Sequence, residues 1–580
     1  MFKEGFSMTR PIVRERRYAA TADADLVLFI ETSEGNKLRL KVINVSESGI
    51  SASAQGVAKS DTELEPGSVI PCAKLLWKAD AQEIVLGRMN VRRCTIADDG
   101  ALSLVCTVID DIIPVTGPLA FQLEESNESG GQRQSHEVNP EKFSLGDVAQ
   151  SGDENIDLLS RFEAIKVYRN EWRKKPMYMY ETVRTPSKGT RVKLKTPRKL
   201  GRDNFVIMGS NDYLGLASHP EVIEAAKQAL DQYGFGSTGS PMTTGRTAIH
   251  EELREYVAQI FKKESVILFN SGYAANVGAL SAMIHAGDFV VADSICHASI
   301  QDALQMCKGA VRYFKHNDMA HLDRLLTEQR EHHRGCLIVT EGVFSMDGDL
   351  AKMAEIIEIA KHHRARTYLD EAHSFGVIGD RGLGLWETLD TDQNVDVIMG
   401  TFSKICGGIG GFIAGDQQVH DWLHFFARSQ VFSVSLPPSN AAGVLKALQI
   451  FMTQKQLLTQ LRENIAYFAK GMRRLGAPLA EDHQSAVIPV VIGDERKLSI
   501  MTECLLEGGI YVIPIVFPAV RRGGSRFRFT VMATHTQSDL DLVLSQFEKA
   551  MSMADFRFAD NGMEQIKTAL SASQRLRKIA

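Results

Sequence analysis

The chain has 580 residues, 44% of them hydrophobic and 24% charged, with a net charge of −5. That length supplies several domains with a substantial core, and the ordinary composition excludes a fibrous, disulfide-framework or wholly disordered protein. The small negative charge excludes bulk electrostatic attachment to nucleic acid or an anionic membrane.

The amino terminus, MFKEGFSMTRPIVRERRY, lacks the apolar core of a secretory signal, and no uninterrupted apolar stretch reaches the length of a transmembrane segment, so the expected location is cytoplasmic. The eight cysteines are scattered without a CxxC pair and read as reduced thiols; no metal site is expected. Residues 8–122 are β-rich. LVLFIET, KLRLKVINVS, SVIPCAKLLW, EIVLGRMNVRRCTI and LSLVCTVID are broken by the turn signals EGN, EPG and DDG. In the second of them Leu38, Leu40 and Val42 alternate with Lys37, Arg39 and Lys41, and the set predicts a small all-β barrel or sandwich. Residues 123–158, rich in Ser, Gly, Glu, Gln and Asn, predict a solvated flexible linker.

Residues 159–454 open with an amphipathic lead-in, LLSRFEAIKVYRNEW. A helix is predicted from about Ser218 or His219, with Pro220 in its first turn and Gly234 after its end. Short apolar strands then alternate with helices such as KMAEIIEIAKHH: SVILFN, FVVAD, CLIVTE, TYLDE and VDVIMGT. This alternation predicts a parallel α/β sheet flanked by helices. Residues 455–580 predict a smaller α+β lobe, with QLRENIAYFAKGMRRLG and a last helix around the strands AVIPVVIGD and SRFRFTVMA.

Open α/β sheets bind ligands beyond the carboxyl ends of their strands. TYLDEAHSFGVIG sets Asp370 and His373 there, VTEGVFSMDGD sets Glu341 and Ser345, and GTFSKICGGIGG sets Lys404 in a glycine-rich turn. FNSGYAANVGAL opens a helix with Ser271, Gly272 and Tyr273, and His297 stands at another strand-to-helix junction. Singly, such an aspartate is a turn cap, such a histidine a satisfied core group and such a lysine a surface charge. Together they form the set that pyridoxal phosphate (PLP) requires: an amine for the aldehyde, a carboxylate for the ring nitrogen, a helix start for the phosphate and histidines near a planar ring.

Residues from about 160 to 552 resemble the α-oxoamine synthase family of fold-type I PLP enzymes. The stretches that carry this are SNDYLGLASHP, NSGYAANVGAL, HASIQDAL, VTEGVFSMDGD, LDEAHSFGVIGDRGLG, GTFSKICGGIGG, FSVSLPP and SRFRFTVMATHT. The resemblance implies that Lys404 holds the cofactor as a Schiff base and moves the substrate Cα proton. It further implies that Asp370 pairs with the ring nitrogen, His373 and Ser345 contact the ring O3′, and His297 stacks on the ring. Ser271, Gly272, Tyr273 and Thr401 would bind the phosphate, with Ser433 contributed by the partner of a homodimer with shared active sites. Asn211 and Arg528 would bind the amino-acid substrate; Arg526 shares a strand face with Arg528 by period-two spacing.

The implied activity is decarboxylative condensation of an amino acid with an acyl-CoA or acyl-carrier thioester, of the serine palmitoyltransferase type. Glycine condensation with a short acyl chain (8-amino-7-oxononanoate synthase, 2-amino-3-ketobutyrate ligase or autoinducer-synthase type), a noncatalytic partner subunit and a plain aminotransferase are the alternatives. One segment departs from the family pattern: where G-[ST]-R-x-x-[ST]-G is usual, this chain has GSPMTTGRTAIHEEL, with Pro241 early and Arg246 late. GFGSTG follows a helix rather than a strand, against a dinucleotide fingerprint.

The β-rich part has its own resemblance. NVSESGISAS, with Asn44, Ser46 and Gly49, is similar to the [DN]-x-S-x-x-G motif of PilZ domains, many of which bind cyclic di-GMP. Arg10 and Arg14 supply the spacing of the companion R-x-x-x-R motif. The resemblance implies a PilZ-like barrel regulating the enzyme through cyclic di-GMP; a structural or interaction barrel with a solvated basic arm is the alternative.

Overall fold

The computed structural model describes residues 179–558 apart from 196–201, 203, 390–394 and 518, together with Lys166, Arg169, Asn170 and Arg173 and, for the backbone alone, seven amino-terminal strands. The chain divides into two compact units, Met1–Gln134 and Ser135–Ile579.

The first unit contains β1 (Arg17–Ala19), β2 (Leu26–Glu31), β3 (Lys37–Ser46), β4 (Gly49–Ala54), β5 (Val69–Trp77), β6 (Gln82–Ile96) and β7 (Leu102–Val108). All pairings are antiparallel in the order β3-β2-β5-β6-β7-β4, and β4 returns to pair with β3. Six strands therefore close on themselves, which removes the sheet edges that an open sheet must protect. β1 lies along the far half of β3, with Arg17 opposite Ser46. The sequence pattern misses β1 and β4. The latter, GISASA, is short and small-residued and carries little strand signal of its own.

In the second unit a seven-stranded sheet is formed by β11 (Ser265–Phe269), β12 (Asp288–Asp293), β13 (Ala310–Phe314), β14 (Gly335–Glu341), β15 (Arg366–Asp370), β16 (Val397–Thr401) and β17 (Gly411–Gly415). Its order is β11-β17-β16-β15-β14-β12-β13. β12 to β16 are parallel, and nearly every residue of β14, β15 and β16 is buried because helices cover both faces. The alternation predicts a wholly parallel sheet; β17 corrects it by running antiparallel to both β16 and β11. The link from Thr401 to Gly411, which face each other in register, is too short for a crossover helix, so the chain must return as a hairpin. Lys404 stands in that hairpin loop.

The helix predicted near His219 spans Pro220–Tyr233, with Pro220 at its start, the His219 ring accepting from Glu221 N–H at 3.3 Å and Gly234 at φ 79° ending it. Two small sheets complete the unit. β8 (Val183–Thr185), β9 (Arg191–Lys195) and β10 (Phe205–Ile207) pair in sequence, and β10 continues in parallel to β19 (Ile510–Tyr511). β21 (Ser525–Thr530) lies between β18 (Val487–Gly493) and β20 (Pro514–Ile515). One hydrophobic cluster runs from Val206 to Ala554. Within it Phe261 packs on Phe375, Phe412 and Trp386 with ring centroids 4.9, 5.0 and 5.8 Å away, each fully buried ring contributing about 1.5–3 kcal/mol. Among the described residues no helix is long and apolar enough to cross a membrane.

Candidate active site

The parallel strands bring their carboxyl ends to one side, and the predicted polar residues follow them there. After β11 the chain enters the helix Gly272–Met283, capped by Ser271, whose hydroxyl accepts from Ala274 N–H at 3.0 Å. An α-helix leaves its first N–H groups outside its own ladder, here those of Gly272 and Tyr273. Gly272 is required by proximity: a Cβ there would lie 3.0 Å from Met399 Cε and 3.1 Å from Thr401 Oγ1. Thr401 is buried, its hydroxyl donating to the Gly410 carbonyl at 2.8 Å. Ser433 lies in the same chain against Asn270, the residue before Ser271, and accepts its amide N–H at 2.7 Å. Tyr273 is exposed and hydrogen-bonds Asp302.

Lys404 is held between Thr401 and a glycine turn that Asn440 pins from both sides, accepting Ile409 N–H at 2.9 Å and donating to Ile409 O at 2.6 Å. Burial pulls its pKa down to about 8, against the opposing charges of Asp370 and Glu341. Such an amine is neutral far more often at pH 7 than an ordinary lysine.

Asp370 ends β15 and stands in register with Glu341 at the end of β14. One Asp370 oxygen accepts from Asn276 Nδ2 at 2.8 Å and the other from Ala372 N–H at 2.9 Å. Burial, and then Asp370, push the Glu341 carboxyl well above the usual range, and one of its oxygens accepts the His297 backbone N–H. His373 is buried and shares a 2.7 Å hydrogen bond between Nδ1 and the Tyr213 hydroxyl. Burial, with Lys404 and Arg528 nearby, holds it well below its ordinary pKa, so the ring is neutral. Glu371 supports this turn by accepting the N–H groups of Leu385 and Trp386 at 2.9 and 2.8 Å.

The opposite wall comes from β21. Arg526 and Arg528 share a face, yet their environments differ. Arg526 is buried and spent on Asp347 and the Met346 carbonyl at 2.7 and 3.0 Å. Arg528 is half-buried, donating to Ser345 O at 2.6 Å and Asn211 Oδ1 at 3.3 Å. Asn211, His373, Ser345 and Arg528 are thus drawn together from four separate segments. The loop carrying Ser345 is anchored by His316, which reaches Asp349 at 2.7 Å and Asp293 at 3.1 Å. Burial opposes charge on this ring, but hydrogen bonds to both carboxylates outweigh it and raise the pKa to about 10.

Sequence patterns miss Tyr213, Asn276, Ser299, His316 and Tyr368. A signal existed for Asn276: it is a polar residue amid the buried, almost wholly apolar face-to-face packing of Gly272–Met283, where an unpartnered amide would be costly. The departing loop, by contrast, does not free a cation. Arg246 pairs with Glu251, Nη2 to Oε2 being 2.6 Å, and Ser240 donates to Val431 O at 2.7 Å. A Cβ at Gly245 would run into the Gly239 carbonyl. In the amino-terminal unit Arg10 and Arg14 lie outside the described residues; Ser46 faces Gly49 across the β3–β4 turn, with Asn44 two residues earlier on β3.

The donor set fits PLP group for group. There is a lysine of lowered pKa for an aldehyde, a carboxylate at the floor for a pyridine nitrogen, an open helix start beside hydroxyls for a phosphate, and an exposed imidazole at His297 for a flat ring.

Residues 203–547 match the family described as Aminotransferase class I and II. An 8-amino-7-oxononanoate synthase of Thermoanaerobacter pseudethanolicus is 37% identical over 354 residues, 61% of this chain and 89% of the relative. A serine palmitoyltransferase of Bacteriovorax stolpii is 39% identical over 350 residues, 60% of this chain and 83% of the relative. A solved serine palmitoyltransferase with a PLP internal aldimine aligns with TM-score 0.65 and 31% identity, covering 69% of this chain and 100% of the other.

Proposed function

Because the chain belongs to the class I and II aminotransferase family and is a PLP-dependent α-oxoamine synthase, we propose that it joins an amino acid to a long-chain acyl thioester in the manner of a serine palmitoyltransferase. The observation that carries this reading is the half-buried Arg528, set with Asn211 and Ser345 across the cleft from an amine of pKa about 8. The long-chain preference is supported by the likeness of 69% of this chain to the whole of a solved serine palmitoyltransferase and by the Bacteriovorax relative.

PLP, when bound, holds the substrate nitrogen and spreads the electron pair left on Cα. Lys404 anchors the cofactor and takes the Cα proton at Nζ. Asp370 keeps the proton on the ring nitrogen, and Ser271, Gly272, Tyr273, Thr401 and Ser433 bind the phosphate. Neutral His373 and the Ser345 hydroxyl orient the ring oxygen, while the flat Arg528 guanidinium grips both oxygens of the substrate carboxylate. A bond forms between Cα and the acyl carbon, the carbon–sulfur bond breaks to release thiol, the carboxylate leaves as carbon dioxide, and a proton returns to Cα in its place. An α-amino ketone remains.

Holoenzyme given serine or glycine and acyl-CoAs of graded length should release thiol and carbon dioxide best with serine and a long chain. Lys404→Ala should lower turnover by at least about 10³-fold and abolish the borohydride-trapped cofactor adduct. Keto-acid amination without carbon dioxide release would overturn the reading. Preference for a short chain would favour the 8-amino-7-oxononanoate synthase type, to which the Thermoanaerobacter relative points.

The proposal includes a homodimer, supported by an exposed apolar face, and a PilZ-like first unit that binds cyclic di-GMP. The support for the latter is the six-strand closure, with Asn44, Ser46 and Gly49 gathered at one hairpin and Arg17 opposite Ser46.

A further inference from the structure

Five side chains, four of them buried and His297 exposed, form a chain of hydrogen bonds whose directions can be assigned throughout. The Tyr368 hydroxyl, fully buried, meets Asn276 Oδ1 at 2.8 Å. Asn276 Nδ2 meets Asp370 Oδ2 at 2.8 Å and Ser299 Oγ at 2.9 Å. The Ser299 hydroxyl meets His297 Nδ1 at 2.8 Å, and the Ser299 backbone N–H reaches the same nitrogen at 3.2 Å.

The donor and acceptor inventory leaves one arrangement. A carboxylate only accepts, so the Asn276 amide nitrogen must face Asp370 and its oxygen must face Tyr368, which donates. The two amide protons are then both used, one on Asp370 and one on Ser299. Ser299 Oγ, already accepting, turns its proton to His297. A backbone N–H also donates to that ring nitrogen, and both donors need the Nδ1 lone pair. The imidazole proton is left on Nε2.

We propose that Tyr368, Asn276 and Ser299 are positioning residues that fix His297 as the Nε2–H tautomer and tie it to Asp370, so that His297 serves as a hydrogen-bond donor and not as a base. The functional part rests on the reading above, in which His297 and Asp370 face PLP; the tautomer itself does not. To accept a proton, His297 would have to give up the Ser299 bond at Nδ1, its only basic nitrogen in this form. The charged and titratable groups around the ring are Asp370 at the end of β15, Lys404 on the hairpin, Glu341 at its backbone, His373 beyond, and Asp302 on its own helix. Burial lowers its pKa, Lys404 adds to that and Asp370 and Asp302 oppose it.

The test is carbon-13 and nitrogen-15 NMR of histidine-labelled, PLP-free full-length protein, with the His297 signal assigned by its loss in His297→Asn. The expected wild-type result is the Nε2–H tautomer, titrating below the ordinary histidine value of about 6.5. Ser299→Ala removes the hydroxyl and leaves the longer backbone N–H bond as the remaining donor to Nδ1, so the Nδ1 signal should shift and the midpoint should move up toward that value, and Ser299→Thr should restore both. A wild-type Nδ1–H tautomer, or a Ser299→Ala spectrum and midpoint identical to wild type, would overturn the proposal. Because the measurement needs no substrate or cofactor, a wrong assignment of the reaction would leave it unaffected.

Discussion

Two histidines with opposite charge states, one buried and one half-buried, illustrate how single residues set the response to pH. His535 accepts from Met532 N–H and donates to Ile207 O, both at 3.0 Å, and burial pulls its pKa down to about 4. The unfolded chain, with its histidine near 6.5, binds more protons between those values. Its contribution to stability is therefore present above pH 6.5 and is lost as pH falls toward 4, by a total on the order of 3 kcal/mol. His316, raised to about 10 between Asp293 and Asp349, has the reverse sign: its contribution is full below 6.5 and is lost as pH rises through 10. Urea unfolding of His535→Asn should show a deficit against wild type at pH 7 that narrows by pH 4.5. A deficit independent of pH would refute the assignment.

Among the elements, strands flanked by acid or glycine were legible, and so were the residues that end them. Lys404, Asp370, His373 and Arg528 each follow or punctuate an apolar run, which marks them without reference to any other segment. β17 and β13 were not legible, because GFIAG and AVRYF acquire strand character only from neighbours distant in sequence. Ser299, Tyr368 and His316 were hidden for the same reason: Asn276, Asp293 and Asp349, with which they pair, lie on other segments of the chain. The helix Gln417–Phe426 poses a different question, since its Phe425 and Phe426 are 58% and 53% exposed, and Phe432 beyond it is 75% exposed. So much exposed aromatic surface within one short segment is the mark of a binding surface. We expect a second copy to cover it. Sedimentation velocity should show a dimer, and Phe425→Asp combined with Phe426→Asp should weaken it at least about 100-fold, about 3 kcal/mol for two rings. Wild-type protein that stays monomeric at tens of micromolar would sink this reading.

Across the whole molecule, a closed barrel and a large α/β unit share one chain. If the barrel binds cyclic di-GMP, calorimetry on the full chain should register it, and Asn44→Ala with Ser46→Ala should abolish the heat; no heat from wild type would end that proposal. Ligand at 100 times its Kd would stabilise the barrel by about 2.7 kcal/mol. The arrangement of the cleft also bears on how the protein is made. The helix at Gly272, the floor at Asp370 and the hairpin around Lys404 all precede β21, which alone brings Arg528. Contacts between such distant segments form only after the long intervening loops have closed. During synthesis, then, the residues assigned to the cofactor leave the ribosome well before the arginine assigned to the substrate, and a chain stalled between them would have the means to hold PLP while still unable to grip an amino acid.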